Sequence, residues 1–440
     1  MRDIIIALIV FGTLPVVLMR PHVGILLWSW ISYMNPHRMA YGFAFNFPWA
    51  ALTAGAIFAG LLFSREPKRV PWNPVTAVWL LWVMWMGVTT IFALVPANAM
   101  AGWDRSFKIQ LMTLITLVLM GKRERLNQLV WIIVFSLGYF GVKGGVFALL
   151  TGGADRVWGP PDSFIEGNNE LALALIMVLP LMRYLQLHTQ NKWLRRALLG
   201  AMLLTAFSIL ASYSRGAFLA AGAMAFMFWV KSRRKLLIGL GLVAVAASSL
   251  AFMPEKWFER MDTITEYKQD ASAMGRINAW TFALNVAADR PIVGGGFNTF
   301  TPSLFQRYAP NPNDFHDAHS IYFQVLGEHG YIGLFLFMTL WLLTFRTGRW
   351  VARNTRDKPD LIWARDLAAM LQVSLVGYAV GGAFLGLAYF DLPYHLMTML
   401  VLTRAIVTKE IAKTAEIPSE FSQTSSRTPI TRPVESESRG

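Results

Sequence analysis

Arg215 lies in Ser212–Tyr213–Ser214–Arg215–Gly216, where an apolar run begins. A guanidinium there presents a planar fork of donors matched to phosphate oxygens. The start of a helix adds to this, because its free N–H groups and its dipole favour anions. The small neighbours Ser214 and Gly216 allow close approach of a ligand. The competing reading is an arginine snorkelling to lipid headgroups. A second group follows downstream. Arg276 and Trp280 stand four apart in a stretch, 271–288, with helical patterning, so they share a face. Arg290 comes just before Pro291 and Gly294–Gly295–Gly296. The local acids Asp262, Glu266, Asp270 and Asp289 offer both arginines an ion-pair alternative, which is the preferred reading for Arg290.

The third group is Asp314–Phe315–His316–Asp317–Ala318–His319–Ser320. Two histidines three apart with Asp317 between them suggest a metal, yet no third and fourth ligand is evident. The better reading is His319 as an imidazole at the membrane surface, acting as general base. Asp317 or Asp314 then orients it or solvates the turn. Glu328 and His329, ahead of Gly330–Tyr331–Ile332–Gly333, read as helix-packing residues with polar contacts inside the bundle. Lys143 sits in Gly141–Val142–Lys143–Gly144–Gly145, within an otherwise apolar run. It either snorkels outward or lines the Arg215 cavity. Asp162, Glu166, Asn168 and Asn169 follow it, and N-capping accounts for one of the asparagines.

The elements that position these residues are membrane helices. Of 440 residues, 55% are hydrophobic and only 15% charged. Soluble chains carry about 25% charged residues. Apolar runs long enough to cross a bilayer occur at 3–19, 46–63, 73–95, 107–121, 127–150, 170–187, 197–211, 215–230, 236–253, 321–345, 366–389 and 395–410. They are continuous rather than alternating, which excludes a β-barrel. The run 22–34 is short and reads as a thirteenth span or a re-entrant piece. The preferred topology is about twelve crossings with both ends in the cytoplasm. The net charge of +14 is explained by Lys and Arg in alternate loops, not by nucleic acid. Basic clusters at 65–69, 122–125, 192–196, 231–235 and 346–358 mark the cytoplasmic side. The loops 96–106, 151–169 and 254–320, and the turn near Asp391, then face outward.

Four regions result: membrane helices over 1–253, an outer loop domain over 254–320, membrane helices over 321–413, and a disordered tail over 414–440 rich in Ser, Thr, Pro and Glu. Zero cysteines remove thiolate chemistry and disulfides. No Gly-x-x-x-x-Gly-Lys-Ser/Thr loop, Asp-x-Asp pair or His-Glu-x-x-His helix is present. What remains is an outer-face site needing neither metal nor cofactor, in which arginines suit a diphosphate and a base suits a hydroxyl.

Taken in order, Ser214-Arg215-Gly216, Arg276-x-x-x-Trp280, Pro291-x-x-Gly294-x-Gly296, His319-Ser320-x-Tyr322 and Glu328-His329-Gly330-Tyr331-Ile332-Gly333 resemble the O-antigen ligase and polymerase superfamily. The amino-terminal Trp28-x-Trp30-x-Ser32-Tyr33-Met34-Asn35-Pro36-His37-Arg38 is similar to the branch of O-glycosylation ligases associated with exosortase systems. The family often has His-Asn where this chain has His319-Ser320. The resemblance implies inverting transfer of a glycan from undecaprenyl diphosphate, on the periplasmic side of the inner membrane, to a hydroxyl of lipid A–core, another glycan or a protein. It also implies that Arg215 and Arg276 hold the diphosphate and that His319 assists the acceptor. Lys143, Arg290, Asn168, Asp317 and Glu328 are secondary candidates. The rival of another class is a transporter of lipid-linked glycans, which needs neither an outer base nor a folded outer loop.

Overall fold

Capping side chains set where several helices begin. Asn73 accepts from the backbone N–H groups of Val75 and Thr76 at 2.9 and 3.3 Å, with Pro74 at the first helical position. Asn191 does the same for Trp193 and Leu194. The computed structural model describes residues 1–232, 234–262 and 271–416. The expected tail beyond Glu416, together with Arg233, Glu266 and Asp270, lies outside the described residues.

Ten helices come first: α1 (Arg2–Met19), α2 (Pro21–Met34), α3 (Trp49–Phe63), α4 (Pro74–Ile91), α5 (Pro96–Leu119), α6 (Arg123–Leu150), α7 (Asn168–His188), α8 (Lys192–Leu210), α9 (Arg215–Lys231) and α10 (Lys235–Phe252). The stretch that follows holds α11 (Glu255–Asp262), α12 (Ala271–Asp289) and α13 (Pro302–Tyr308). The last three are α14 (Ile321–Asn354), α15 (Ile362–Gly381) and α16 (Asp391–Glu416). No strand occurs among the described residues, and the chain is an all-α, multi-pass membrane protein. Among the described residues, eight helices are by themselves long and apolar enough to cross a membrane. Of the other expected spans, α3 and α9 are shorter than 18 residues, while α5 carries Asp104, Arg105 and Lys108.

The bundle is organised around α7, buried almost continuously from Leu171 to Leu185, and around α15, which packs on α7, α9, α14 and α16. With no hydrophobic drive between helices in lipid, contacts such as Ser374 Oγ donating to the Met177 carbonyl at 2.7 Å bind them together. The basic loops gather at one end. There Arg125 grips Glu66 through two hydrogen bonds of 2.5 and 2.7 Å and holds its carboxyl below the usual range.

Four expectations need correction. First, the amino terminus does not lie on the side of the basic loops. Arg2 donates to the Met39 carbonyl at 2.8 Å, and Arg38 pairs with Asp162 at 3.4 Å. The amino terminus therefore lies at the end opposite the basic loops, and α2 runs the full way back. Second, 96–106 is not a loop but the first part of α5. Third, the run 366–389 is not one helix. Residues 385–390 leave α15 as an irregular segment, buried in the bundle except at Gly386. Non-helical backbone is tolerated at this depth only where protein satisfies it. Here Tyr378 and Tyr394 donate to the carbonyls of Leu387 and Ala388, at 3.1 and 3.0 Å.

Fourth, α14 is broken at Gly330, with φ 68° and ψ −170°. The backbone groups released there are taken up by the glycine triplet. Gly295 and Gly296 N–H donate to the carbonyls of Gly327 and Glu328 at 2.8 Å, and Tyr331 N–H donates to Pro291 at 2.9 Å. A β-carbon on Gly294 would collide with residues 327–330, and one on Gly330 would collide with Ile292. That interlock explains the Pro-x-x-Gly-x-Gly spacing and the glycine two residues after Glu328.

Candidate active site

Three segments meet at the end of the bundle away from the basic loops. The first is the turn before α9. Ser214 caps that helix by accepting from Ala217 N–H at 3.1 Å, which makes Arg215 its first residue. The turn is held by Asn168, whose side-chain amide donates to the Ser212 carbonyl at 2.6 Å. Asn168 is therefore not an N-cap: Gly167 takes that position. It instead ties the start of α7 to the Arg215 turn. Tyr213 adopts φ 56° and anchors its hydroxyl on the Gly153 carbonyl at 2.7 Å.

The second segment is α12, which acts as a clamp. Asn278 donates to the carbonyls of Asn311 and Asp314, both at 2.8 Å. Gly275 leaves room for the His316 ring, and Trp280 Nε1 donates to the Ala318 carbonyl at 2.8 Å. Trp280 also stacks on Phe323, with centroids 5.0 Å apart. The third segment, 311–320, is thereby strapped onto α12. His319 follows with φ 39°, a backbone region that costs energy for a residue with a β-carbon. Tyr213 and Asn298 share this feature and line the adjoining spaces.

Arg215 and Arg276 line one small polar cleft with Asn168, Arg156 and Ser272. His319, Asp317 and Glu328 line the next cavity, of about 400 Å³, with Arg105, Glu170 and Tyr389. The irregular segment after α15 runs along both: Phe384 and Leu385 face the first, Gly386 and Leu387 the second. The two spaces also communicate electrically. Burial pushes His319 below its ordinary 6.5, the Arg276 charge pushes it further down, and Asp317 opposes them. His319 is thus neutral at neutral pH, the form in which an imidazole accepts a proton.

Glu328 forms the wall of this cavity, with 2% of its surface exposed. Its carboxylate accepts from the Asn298 N–H at 2.9 Å and from the Tyr389 hydroxyl. Tyr389 also meets His329 Nε2 at 2.8 Å, and His329 Nδ1 meets Thr89 at 2.6 Å. This chain ties α4, α14 and the irregular segment together. Glu328→Ala takes the acceptor from the Asn298 N–H and leaves the Tyr389 hydroxyl with His329 alone, so the expected loss of stability is about 2 kcal/mol. Glu328→Gln, which keeps an acceptor, should lose less. Thermal unfolding in detergent checks this, and an unchanged midpoint in the alanine variant would contradict it.

Two candidates lie elsewhere. Arg290 lines neither cavity: it donates to the carbonyl of Phe92 at the end of α4. Asp289 is engaged by Tyr308 at 2.5 Å and Arg307 at 3.4 Å. Lys143 lines a different cavity, with Arg2 and Arg38, so it does not share the Arg215 cleft. Sequence reasoning passed over Arg105, Arg156 and Glu170. One signal marks the first two: cations on the side opposite the basic loops run against the usual loop bias. Glu170 is an ionisable group in the first turn of a span, which is itself a functional pointer.

Residues 200–338 match the O-antigen ligase family, and residues 1–190 match a family of unknown function (DUF5935). No curated protein matches the chain. The ligase match takes in Arg215, Arg276, His319 and Glu328 and supports the O-antigen ligase and polymerase superfamily.

Proposed function

We propose, with residues 200–338 carrying an O-antigen ligase domain, that this multi-pass membrane protein is an inverting glycosyltransferase. It moves a glycan en bloc from undecaprenyl diphosphate to an acceptor hydroxyl, on the periplasmic face of the bacterial inner membrane. Lipid A–core is the proposed acceptor. A protein hydroxyl or a second glycan, as in a protein O-oligosaccharyltransferase or a polymerase, is the alternative.

The observation that carries this reading is that Arg276 shares a cleft with Arg215 while its charge acts on His319 in the adjoining cavity. Donor diphosphate sits between the two guanidiniums. The acceptor oxygen attacks the anomeric carbon from the face opposite the leaving group. Its proton passes to the neutral His319 ring, a contribution of about 10²- to 10⁴-fold. The anomeric C–O bond breaks, and its electron pair leaves on the diphosphate oxygen. Negative charge grows on that leaving group in the transition state. Each prepositioned guanidinium in a partly dry site is worth about 3 kcal/mol there.

The test is purified full-length protein with lipid-linked donor and lipid A–core, in EDTA and without ATP. Transfer with inversion of the anomeric centre is expected. Translocation of donor across vesicles without any product would instead favour a transporter.

A further inference from the structure

A second cavity, of about 740 Å³, lies among α1, α2, α6 and the loops 36–46 and 158–161, within the residues that match the family of unknown function. It opens at the same end of the bundle as the candidate active site, and the ridge 158–164 separates the two. Trp158 to Pro161 line this cavity, while Ser163 and Phe164 line the one holding His319.

Its lining holds three cations, Arg2, Arg38 and Lys143, and no acid. Two acids stand close by and are already engaged. Asp3 accepts from the N–H groups of Gly42 and Ala44 at 3.1 and 3.0 Å, and Asp162 takes only the Nη1 side of Arg38. Arg38 Nε is buried with no hydrogen-bond partner. Lys143 sits two turns before the end of α6, about 10 Å below it by helical rise. A lysine at that depth needs a wet cavity or an anion. Beside the cations, Ile5 and Ile9 of α1 are 53% and 42% exposed, and Trp158 is 58% exposed. Charge and apolar surface thus run side by side at the depth where headgroups meet acyl chains.

We propose that this groove binds the phosphate of a lipid headgroup, with the chains of that lipid lying along Ile5 and Ile9. Guanidinium forks match phosphate oxygens, and a basic patch at a membrane surface attracts anionic lipid. The site is separate from the Arg215–Arg276 cleft and does not depend on the transfer reaction.

The experiment measures lipid retention by full-length protein in nonionic detergent, by native mass spectrometry. The probes are phosphatidylglycerol, monophosphoryl lipid A and, as the neutral control, phosphatidylcholine with a choline-masked phosphate. Wild type should retain the two anionic lipids at least tenfold more tightly than phosphatidylcholine, and less so at high salt. The double variant Arg2→Gln, Lys143→Gln changes exposed side chains, so it should fold, and it should lose that preference. Arg215→Ala should keep it, which separates this groove from the donor site. Tighter retention of lipid A would assign the groove to a phosphorylated glycolipid; tighter retention of phosphatidylglycerol would assign it to a bilayer phospholipid. Both support the phosphate site. An unchanged preference in the double variant, or equal retention of all three lipids, would overturn it.

Discussion

Arg215→Ala and Arg276→Ala should each lower turnover by about 10²-fold or more, with the protein still folded in the membrane. The expected cause is lost stabilisation of the departing diphosphate. Folding should survive because other side chains hold both helices: Ser214 caps α9, while Asn278 and Trp280 bind α12 to the strap before α14. Lysine at 215 should recover only part of the rate, since it restores the charge and not the planar fork. The double alanine variant should lose less than the product of the two single losses, because both cations face one group. Steady-state rates on purified full-length protein, set beside its thermal midpoint, give the answer. Near-native turnover in either single variant would remove the diphosphate role.

His319→Ala should cost about 10²- to 10⁴-fold in turnover, with little change in donor affinity. The pH dependence carries the sharper information. A base works in its neutral form, and this imidazole is held below 6.5 by burial first and by Arg276 second. The wild-type rate should therefore be flat across neutral pH and fall only once the medium is more acidic than 6.5. Arg276→Gln removes one of the groups that depress His319, so the acidic limb should move to higher pH even as the rate falls. A purely structural arginine would not shift that limb. A limb that stays in place in the Arg276 variant, or a His319 variant with an unchanged rate from pH 6 to 8, would refute the base assignment.

Glu328 and Asn168 show why some residues proposed from sequence change their meaning in three dimensions. Glu328 was legible as a polar group inside a span, yet its partners Asn298 and Tyr389 lie 30 and 61 residues away. Asn168 was legible as a helix start. Its bond to Ser212, 44 residues on, makes it a support for the Arg215 turn instead. Arg290 and Lys143 stood behind Arg276 as secondary candidates, marked by charge and by neighbouring glycines. One closes the end of α4 and the other lines a separate groove.

The residues alone determined that this chain spans the membrane many times, that basic loops mark one side, and that Arg215, Arg276 and His319 stand on the other. Hydropathy and loop charge are summed along a contiguous stretch, so they are readable run by run without knowing what touches what. The tertiary structure decided which of the odd charges share a space, where α14 breaks at Gly330, and why residues 385–390 abandon helix. Those outcomes depend on whether a backbone or side-chain polar group finds its partner in an element dozens of residues away, and no local window contains that information.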